Sequence, residues 1–356
     1  MAPRAAFVSF RFGMTDGVSV VARTWMDAFE QFGFDVVTVA SGPGVDRVVT
    51  GLAIDAPPGD HDALVAELRE ALAEVDLVVV ENLLTIPLNL PASRALAEVL
   101  RGRPALLHHH DPPWHRERFA HITELPANDP AWRHVAINRL LRDQLAARGI
   151  QAAVIYNGFA NPGRMSVARR QELRREVRRA VGLRPDALVV AHPVRAIERK
   201  DVPAAVRLAE ALGATYWLLG PAEEGYGDEL ERVLASARCP VVHEPWTDVE
   251  GIYAAADHIA FPSTWEGFGN PPIEAALHRR TVSVGDYPVA HELRALGFDW
   301  CAPDEVERIA ALLAAPEGAE TVAMLDRNER IASEHFSLGR MRTSLQGVLD
   351  EAGWMP

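Results

Sequence analysis

The sequence predicts an α/β protein made of two doubly wound parallel sheets that face a cleft, and three observations carry this prediction. Short runs rich in Val, Ile and Leu alternate with longer amphipathic stretches along the whole chain. These runs are apolar almost throughout, which is typical of strands that helices cover on both faces. The length of 356 residues favours two domains over one.

The first predicted domain spans residues 1–160 and the second spans residues 161–335. In the first, the predicted strands are residues 5–10, 35–40, 47–50, 77–80, 105–109, 134–138 and 153–156. Helical patterns lie between them, for example residues 18–32 and 62–73. In the second, the predicted strands are residues 187–191, 215–219, 240–243, 258–261 and 281–284.

An arginine-rich stretch, residues 169–179, precedes the first strand of the second domain. Glu172 and Glu176 interleave with the arginines, and no aromatic side chain offers a stacking platform for a base. We therefore interpret the stretch as an exposed helix rather than a nucleic-acid-binding surface.

Composition excludes several classes of protein. The formal net charge of −13 argues against a protein that lives on nucleic acid or anionic lipid, although a local cationic pocket is compatible with it. Two cysteines cannot build a disulfide scaffold, and no apolar run reaches membrane-spanning length. The start runs into a strand without a signal-peptide pattern, so we expect a cytoplasmic enzyme.

The most informative segment lies between the predicted strand 258–261 and the following helix. Two carboxylates, Glu266 and Glu274, bracket a loop in which Gly267 and Gly269 let the backbone approach a ligand closely. Carboxylates are good acceptors for the vicinal hydroxyls of a sugar. A glycine turn with prolines at a helix start and two solvated glutamates is the alternative for any isolated loop of this kind.

The spacing of this loop resembles a family signature. Glu266 and Glu274 enclose Gly-Phe-Gly-Asn-Pro-Pro-Ile, which is similar to the signature of the retaining glycosyltransferases of family 4. These enzymes have the GT-B fold of two Rossmann-like domains. The resemblance implies a catalytic role for Glu266, and it implies a donor site made by Gly267, Phe268, Gly269, Asn270 and Glu274.

A second element of the family follows the first strand of the second domain. Arg195 and Lys200 match the Arg and Lys of a Gly-Arg-(four residues)-Lys element, although His192 stands where the family often has Gly. Two cations after a strand can neutralise a diphosphate leaving group. The resemblance makes both residues catalytic, whereas in isolation a pair of exposed cations at a helix start explains them equally well.

Three further residues are assigned to the donor by the resemblance. Gly17 follows Asp16 at the start of a predicted helix, where its amide would touch a phosphate, while Asp16 could simply cap that helix. Gly220 resembles a glycine turn beside the nucleotide. Trp246 lies where the base is usually held, and a half-buried core tryptophan is an equal alternative.

Three consecutive histidines before Asp111 invite a metal-site interpretation. Strand alternation turns His109 away from His108 and His110, so we predict no metal site there. The resemblance instead places His110 near the transferring sugar as a catalytic residue. It assigns the acceptor to Asp111, Trp114, Arg116 and Asn82.

The implied reaction moves a hexosyl unit from a nucleoside-diphosphate sugar to a small polar acceptor, with retention, without a metal and with assistance from the leaving phosphate. No cofactor beyond this substrate and no nucleic acid partner is expected, and homodimerisation is left open. The last helix, residues 336–356, is expected to return to the first domain. The stretch from His108 to Phe119 resembles a subgroup of the family that includes enzymes making small sugar–glycerate glycosides. A dinucleotide-dependent oxidoreductase is disfavoured because no complete Gly-x-Gly-x-x-Gly occurs. A non-catalytic nucleotide-sugar-binding subunit is disfavoured because both glutamates, Arg195 and Lys200 are retained.

Overall fold

The computed structural model describes residues 2–13, 17–57 and 59–356. These residues form two compact units. The first comprises the chain up to Gly158 together with Leu338–Pro356, and the second comprises Phe159–Ser337. The sequence places the corresponding limits at residues 160 and 335.

All twelve predicted strands are found in the described residues, with ends shifted by at most a few residues. The strands are β1 (Arg4–Val8), β2 (Asp35–Ala40), β3 (Arg47–Val48), β4 (Leu77–Glu81), β5 (Ala105–His109), β6 (Trp132–Ala136), β7 (Ala152–Val154), β8 (Val189–His192), β9 (Thr215–Leu218), β10 (Val241–His243), β11 (His258–Phe261) and β12 (Thr281–Val284). The helices are α1 (Gly17–Gln31), α2 (His61–Ala71), α3 (Leu90–Leu100), α4 (Arg139–Ala146), α5 (Val167–Ala180), α6 (Val202–Ala211), α7 (Gly227–Ser236), α8 (Val249–Ala255), α9 (Asn270–Leu277), α10 (Pro288–Arg294), α11 (Val306–Ala314), α12 (Ala319–Phe336) and α13 (Leu338–Ala352).

The first unit is a parallel sheet of order β3-β2-β1-β4-β5-β6-β7. Successive residues of a strand face opposite sides, so Ala6 and Val8 join one apolar cluster, while Ala5 and Phe7 join another. Helices α2 and α3 complete the first cluster, and α1 and α13 complete the second. The chain order reverses between β1 and β4, and ligands of such sheets bind at the carboxyl ends of the strands beside this reversal.

The second unit is a parallel sheet of order β10-β9-β8-β11-β12, which reverses between β8 and β11. The loop of residues 262–269, which contains Glu266 and is called the glutamate loop below, follows β11. Because β8 and β11 are parallel neighbours, this loop and the turn after β8 lie at the same carboxyl-terminal end of the sheet. The prediction of two parallel α/β sheets is confirmed.

Helix α5 contains the arginine-rich stretch, and it differs from the prediction at one residue. Most of its arginines are exposed or half-buried, but the Arg178 side chain is only 1% exposed. Its guanidinium donates to the carbonyls of Ala255 and Ala187 and pairs with Asp257 at 2.9 Å. The stretch is thus partly a structural anchor, because every polar atom of a buried guanidinium needs an acceptor.

In the described part of the chain, no helix combines the length and the apolar character needed to cross a bilayer.

Candidate functional site

The glutamate loop leaves β11 and enters α9 at Asn270. Gly269 has a φ of 98°, and a Cβ at this position would lie 2.7 Å from the Tyr287 hydroxyl, so only glycine fits. Pro271 and Pro272 stand in the first turn of α9, where amide protons have no partner within the helix. The local sequence therefore fixes where the loop ends and where the helix begins.

Glu266 binds two cations in this loop. Lys200 Nζ lies 2.5 Å from Glu266 Oε1, and Arg199 Nη1 lies 2.8 Å from Glu266 Oε2. Lys200 is 8% exposed and Glu266 is 6% exposed. Lys200 Nζ also lies 4.8 Å from the centroid of the Phe261 ring, so the ammonium is enclosed by an aromatic face and a carboxylate.

The electrostatics of this cluster keep Glu266 ionised. Burial opposes its ionisation, but the attraction of Lys200 and Arg199 outweighs this cost and lowers the pKa of Glu266. Burial also lowers the pKa of Lys200, with Glu266 opposing the shift. Because Arg199 supplies a second cation, the carboxylate is neutralised from both sides.

Amino-acid composition singles out Lys200 independently of the motif, whereas Arg199 could not be identified from the sequence. Of the 36 Lys and Arg residues in the chain, only Lys200 is a lysine. Arg199, the second partner of Glu266, lies among the four variable residues of the motif and was not predicted. Its role depends on a contact across 67 residues of chain, which spacing within one motif cannot reveal.

Arg195 lies in the turn after β8, but it pairs with Glu223 rather than Glu266, at 2.6 Å. Its charge reaches Lys200, whose pKa it helps to lower. Gly220 follows β9 beside this turn, and a Cβ there would lie 2.2 Å from the Val194 carbonyl oxygen. Gly220 is thus required by close backbone packing next to Arg195.

Glu274 has a different environment from Glu266. Its Oε2 accepts a hydrogen bond of 2.8 Å from the Tyr253 hydroxyl. Burial raises the pKa of Glu274, and the Tyr253 hydrogen bond opposes the shift only in part. The two glutamates of the motif therefore have opposite pKa shifts, an arrangement that separates the roles of two carboxyl groups.

The other predicted donor residues have mixed surroundings. Phe268 is buried and its ring contacts Phe159 and Phe336, with centroids 6.4 and 5.8 Å away. Trp246 is half-buried, and its indole nitrogen lies 2.6 Å from the position of a Cβ on Gly251, so it packs against α8. The remaining predicted residues lie in the loop or begin a helix: Gly267 in the loop, Asn270 as the first residue of α9, and Gly17 as the first residue of α1, with Asp16 outside the described residues.

The first unit brings Asn82, His110 and Asp111 together. Asn82 Oδ1 accepts the backbone N–H groups of His110 and Asp111, at 3.2 and 3.1 Å. Asn82 Nδ2 donates to Asp111 Oδ2 at 3.1 Å. Asn82 has a φ of 58°, a conformation that asparagine tolerates better than most residues, and it locks the end of β4 to the segment after β5.

The histidines of β5 alternate as predicted. His109 turns away from its neighbours and contacts Thr85 and His134, at 2.7 and 2.9 Å. His108 Nδ1 and His110 Nε2 instead approach Glu81 Oε2, at 3.0 and 3.3 Å. Glu81 was not predicted as their partner, although it is the last residue of the neighbouring strand and pairs with His108 in the sheet register.

Burial lowers the pKa of His108 to about 4, although the charge of Glu81 opposes this shift. Burial also opposes the ionisation of Glu81, but contacts with His108 and His110 lower the pKa of Glu81 to about 2.

The two remaining predicted acceptor residues, Arg116 and Trp114, have different contacts. Arg116 Nη2 lies 3.8 Å from Asp111 Oδ1, while Trp114 donates to Gln144 on α4 at 2.9 Å.

No family model matches the chain. Two relatives match the chain over most of its length. The mannosylglucosylglycerate synthase of Thermotoga maritima is 24% identical, over 96% of this chain and 98% of the relative. The mannosylglucosylglycerate synthase of Petrotoga mobilis is 22% identical, over 82% of this chain and 84% of the relative.

Solved structures decide the fold. Anabaena HepE in complex with UDP-glucose superposes with a TM-score of 0.72 at 22% identity, covering 98% of this chain and 99% of HepE. Sucrose-phosphate synthase from Thermosynechococcus elongatus gives a TM-score of 0.72 at 14% identity, covering 98% of each chain. The chain has the fold of the GT-B glycosyltransferases.

The predicted GT-B fold and the predicted similarity to enzymes of sugar–glycerate synthesis are therefore confirmed. In the second unit, Lys200 and Glu266 meet at the carboxyl-terminal end of the sheet. In the first unit, a cluster also lies at the carboxyl-terminal end of the sheet, and it consists of Asn82, His110, Asp111 and Arg116. Ligands of such sheets bind at these ends of the strands.

Proposed function

We propose that the chain is a retaining glycosyltransferase that moves a hexosyl unit from a nucleoside-diphosphate sugar to a hydroxyl of a small polar acceptor. The observation that carries the proposal is the enclosed Lys200–Glu266–Arg199 cluster at the carboxyl ends of β8 and β11. It sets cationic groups at a strand edge of the kind that binds phosphates in doubly wound folds. A relative of known structure that binds UDP-glucose supports a uridine diphosphate sugar as the first donor to test.

Retention requires either two inversions through a covalent intermediate or departure and attack on the same face of the sugar. Glu266 is a poor covalent nucleophile because each of its oxygens contacts a cation. We therefore favour the same-face route. The bond from the anomeric carbon to the phosphate oxygen breaks, the acceptor oxygen bonds to that carbon, and the acceptor proton moves to the departing phosphate.

The role of Lys200 and Arg195 in this route is to stabilise the charge that grows on the diphosphate. Arg195 is partly exposed, so its guanidinium can turn from Glu223 to a phosphate. Glu274, whose carboxyl is held by Tyr253, is proposed to accept donor hydroxyls. With these cations in place we propose that the diphosphate needs no metal ion.

The acceptor is proposed to be a small polar glycerate-type compound. Two relatives that match most of the chain are named mannosylglucosylglycerate synthase, which supports this class. In the first unit, Arg116 offers a cation for a carboxylate, while Asp111 and His110 offer groups for hydroxyls. These residues form a cluster through Asn82, so one compact ligand can contact several of them.

The test begins with a thermal-shift panel of uridine, guanosine and adenosine diphosphates, because a ligand raises the melting temperature according to its affinity. Turnover with the matching hexose donor and a glycerate-type acceptor then follows, with the anomeric configuration of the product read by NMR. Lys200→Met should lower turnover on the order of 10²–10³-fold. Arg232→Met, a control at an exposed cation of α7, should leave turnover unchanged.

Because Lys200 is the sole lysine, it is the one side chain that an amine-directed reagent can label as a primary amine. Donor protection of this label would tie the ammonium to the donor site directly. Unchanged turnover in Lys200→Met would contradict the leaving-group role, and a steep requirement for added Mg²⁺ or Mn²⁺ would contradict metal-independent departure. Donor binding without any transfer would favour a non-catalytic binding subunit.

A further inference from the structure

We propose that Glu81, His108 and His110 form a binding site for one divalent transition-metal ion of the zinc class in the first unit. One atom from each residue converges on a single point: Oε2 of Glu81, Nδ1 of His108 and Nε2 of His110. The site goes beyond the proposed transfer reaction, which places no ion on the diphosphate, and its test does not require turnover.

The separations of the three atoms fit a coordination sphere. They are 3.0 Å between Glu81 and His108, 3.3 Å between Glu81 and His110, and 3.3 Å between the two histidines. Tetrahedral bonds of about 2.0–2.2 Å place their ligand atoms about 3.3–3.6 Å apart. A cation can therefore bind all three atoms with shifts of a few tenths of an ångström.

Hydrogen bonding alone explains the cluster poorly. Both imidazole nitrogens approach the same carboxylate oxygen, and they also face each other. Among the described residues, Glu81 Oε1 and His108 Nε2 are buried without a hydrogen-bond partner. A network built for hydrogen bonds would distribute its donors over both oxygens, because a buried polar atom without a partner is costly. Convergence on one point is what a cation requires.

The donor set selects the class of ion. Two imidazoles and one carboxylate suit Zn²⁺ and its transition-metal neighbours, whereas Mg²⁺ and Ca²⁺ prefer oxygen ligands throughout. The surrounding contacts fix the ligands. The Trp25 ring stacks on His108 with centroids 3.8 Å apart, and Asn82 holds the backbone of His110.

The sequence-based prediction of no metal site rested on the three consecutive histidines. His109 does turn away, so these histidines cannot supply three ligands. The neighbouring strand β4 replaces it with Glu81, which a local motif cannot anticipate. An ion here would neutralise a buried carboxylate and hold the His110 ring through Nε2, leaving Nδ1 for a ligand. The ion would thus help to position His110 and the adjoining Asp111, which Asn82 binds.

The experiment uses the full chain freed of metal by a chelator that is then removed. Wild type should bind one Co²⁺ per chain, with the visible ligand-field bands of a four- or five-coordinate site, and Zn²⁺ should displace it. Zn²⁺ should also raise the melting temperature. Glu81→Gln and His110→Asn should weaken Zn²⁺ binding on the order of 100-fold or more.

His109→Asn is the matched control, because it removes a buried histidine of the same strand that faces away from the cluster. It should keep the single Co²⁺ equivalent. The proposal is overturned if wild type binds no more Co²⁺ than Glu81→Gln, or if His109→Asn loses the ion as completely as His110→Asn. If the ligand variants fail the circular-dichroism check for folding, the wild-type equivalents and the Zn²⁺-dependent melting shift decide the question.

Discussion

The buried pair of Lys200 and Glu266 predicts unequal stability losses when its two halves are removed one at a time. Glu266→Gln leaves Lys200 and Arg199 facing each other without a carboxylate, and Lys200 is almost fully buried. Lys200→Met leaves Glu266 paired with Arg199 at 2.8 Å, and the methionine keeps the contact with the Phe261 ring. Glu266→Gln should therefore be the more costly change.

The magnitudes follow from this difference. Removing one partner of a buried pair and leaving the other charge uncompensated costs about 3–5 kcal/mol, which we expect for Glu266→Gln. Removing one charged hydrogen bond while another cation stays costs about 1.5–3 kcal/mol, which we expect for Lys200→Met. For a unit of this size, each kcal/mol lowers the melting temperature by about 2–4 °C.

Calorimetry of both single variants and the double variant is the assay. The double variant should lose less than the sum of the two single losses, because the second change removes the charge that the first left unpaired. The low pKa of Glu266 adds a pH dependence. Its ionisation stabilises the fold above about pH 4.5, and this contribution is lost as the pH falls through its lowered folded-state pKa. An equal or larger loss in Lys200→Met, or strictly additive losses, would refute the reasoning.

Three further predictions concern single contacts. Tyr253→Phe removes the hydroxyl that hydrogen-bonds Glu274 and should raise the pKa of Glu274 further. As the pH is lowered, binding of the nucleotide sugar, measured by titration, should therefore weaken at a higher pH in this variant than in wild type. Gly220→Ala forces a Cβ against a backbone carbonyl oxygen 2.2 Å away and should cost about 1–3 kcal/mol by thermal melting. Arg178→Met should cost about 3–5 kcal/mol in denaturant unfolding, whereas Arg175→Met, at an exposed site of the same helix, should change stability by less than about 0.5 kcal/mol.

The fold could be predicted from the sequence because buried parallel strands are continuous apolar runs. Strand β4 is buried at each of its five residues, and β11 at each of its four, so their boundaries coincide with changes in composition. The failure at Arg178 has the opposite origin. Its acceptors lie on α8 and in the loop before β8, and no local pattern in an arginine-rich helix distinguishes the one residue that meets them.

Candidate-site residues that lie together in one loop could be predicted from the sequence. Their contact partners could not be predicted where they follow or end a neighbouring strand of the sheet. Glu266 and Lys200 each lie in a motif, but their meeting depends on the adjacency of β8 and β11. Glu81 reaches the histidines in the same way, through the adjacency of β4 and β5. Register between parallel strands is a tertiary property, because each strand is set beside its neighbour by a helix rather than by a tight turn.

The presence of one lysine in a chain that otherwise uses arginine fits the geometry around it. Arginine is a planar fork that suits exposed and multiply bonded positions, as at Arg178 and Arg199. At position 200 the ammonium is almost fully buried and lies between the Phe261 ring and Glu266 Oε1, where it acts as a compact point charge. A guanidinium there would compete with Arg199 for the same carboxylate. The chain therefore places its single ammonium as a concentrated charge in a buried position, which would suit the departing phosphate of the proposed transfer.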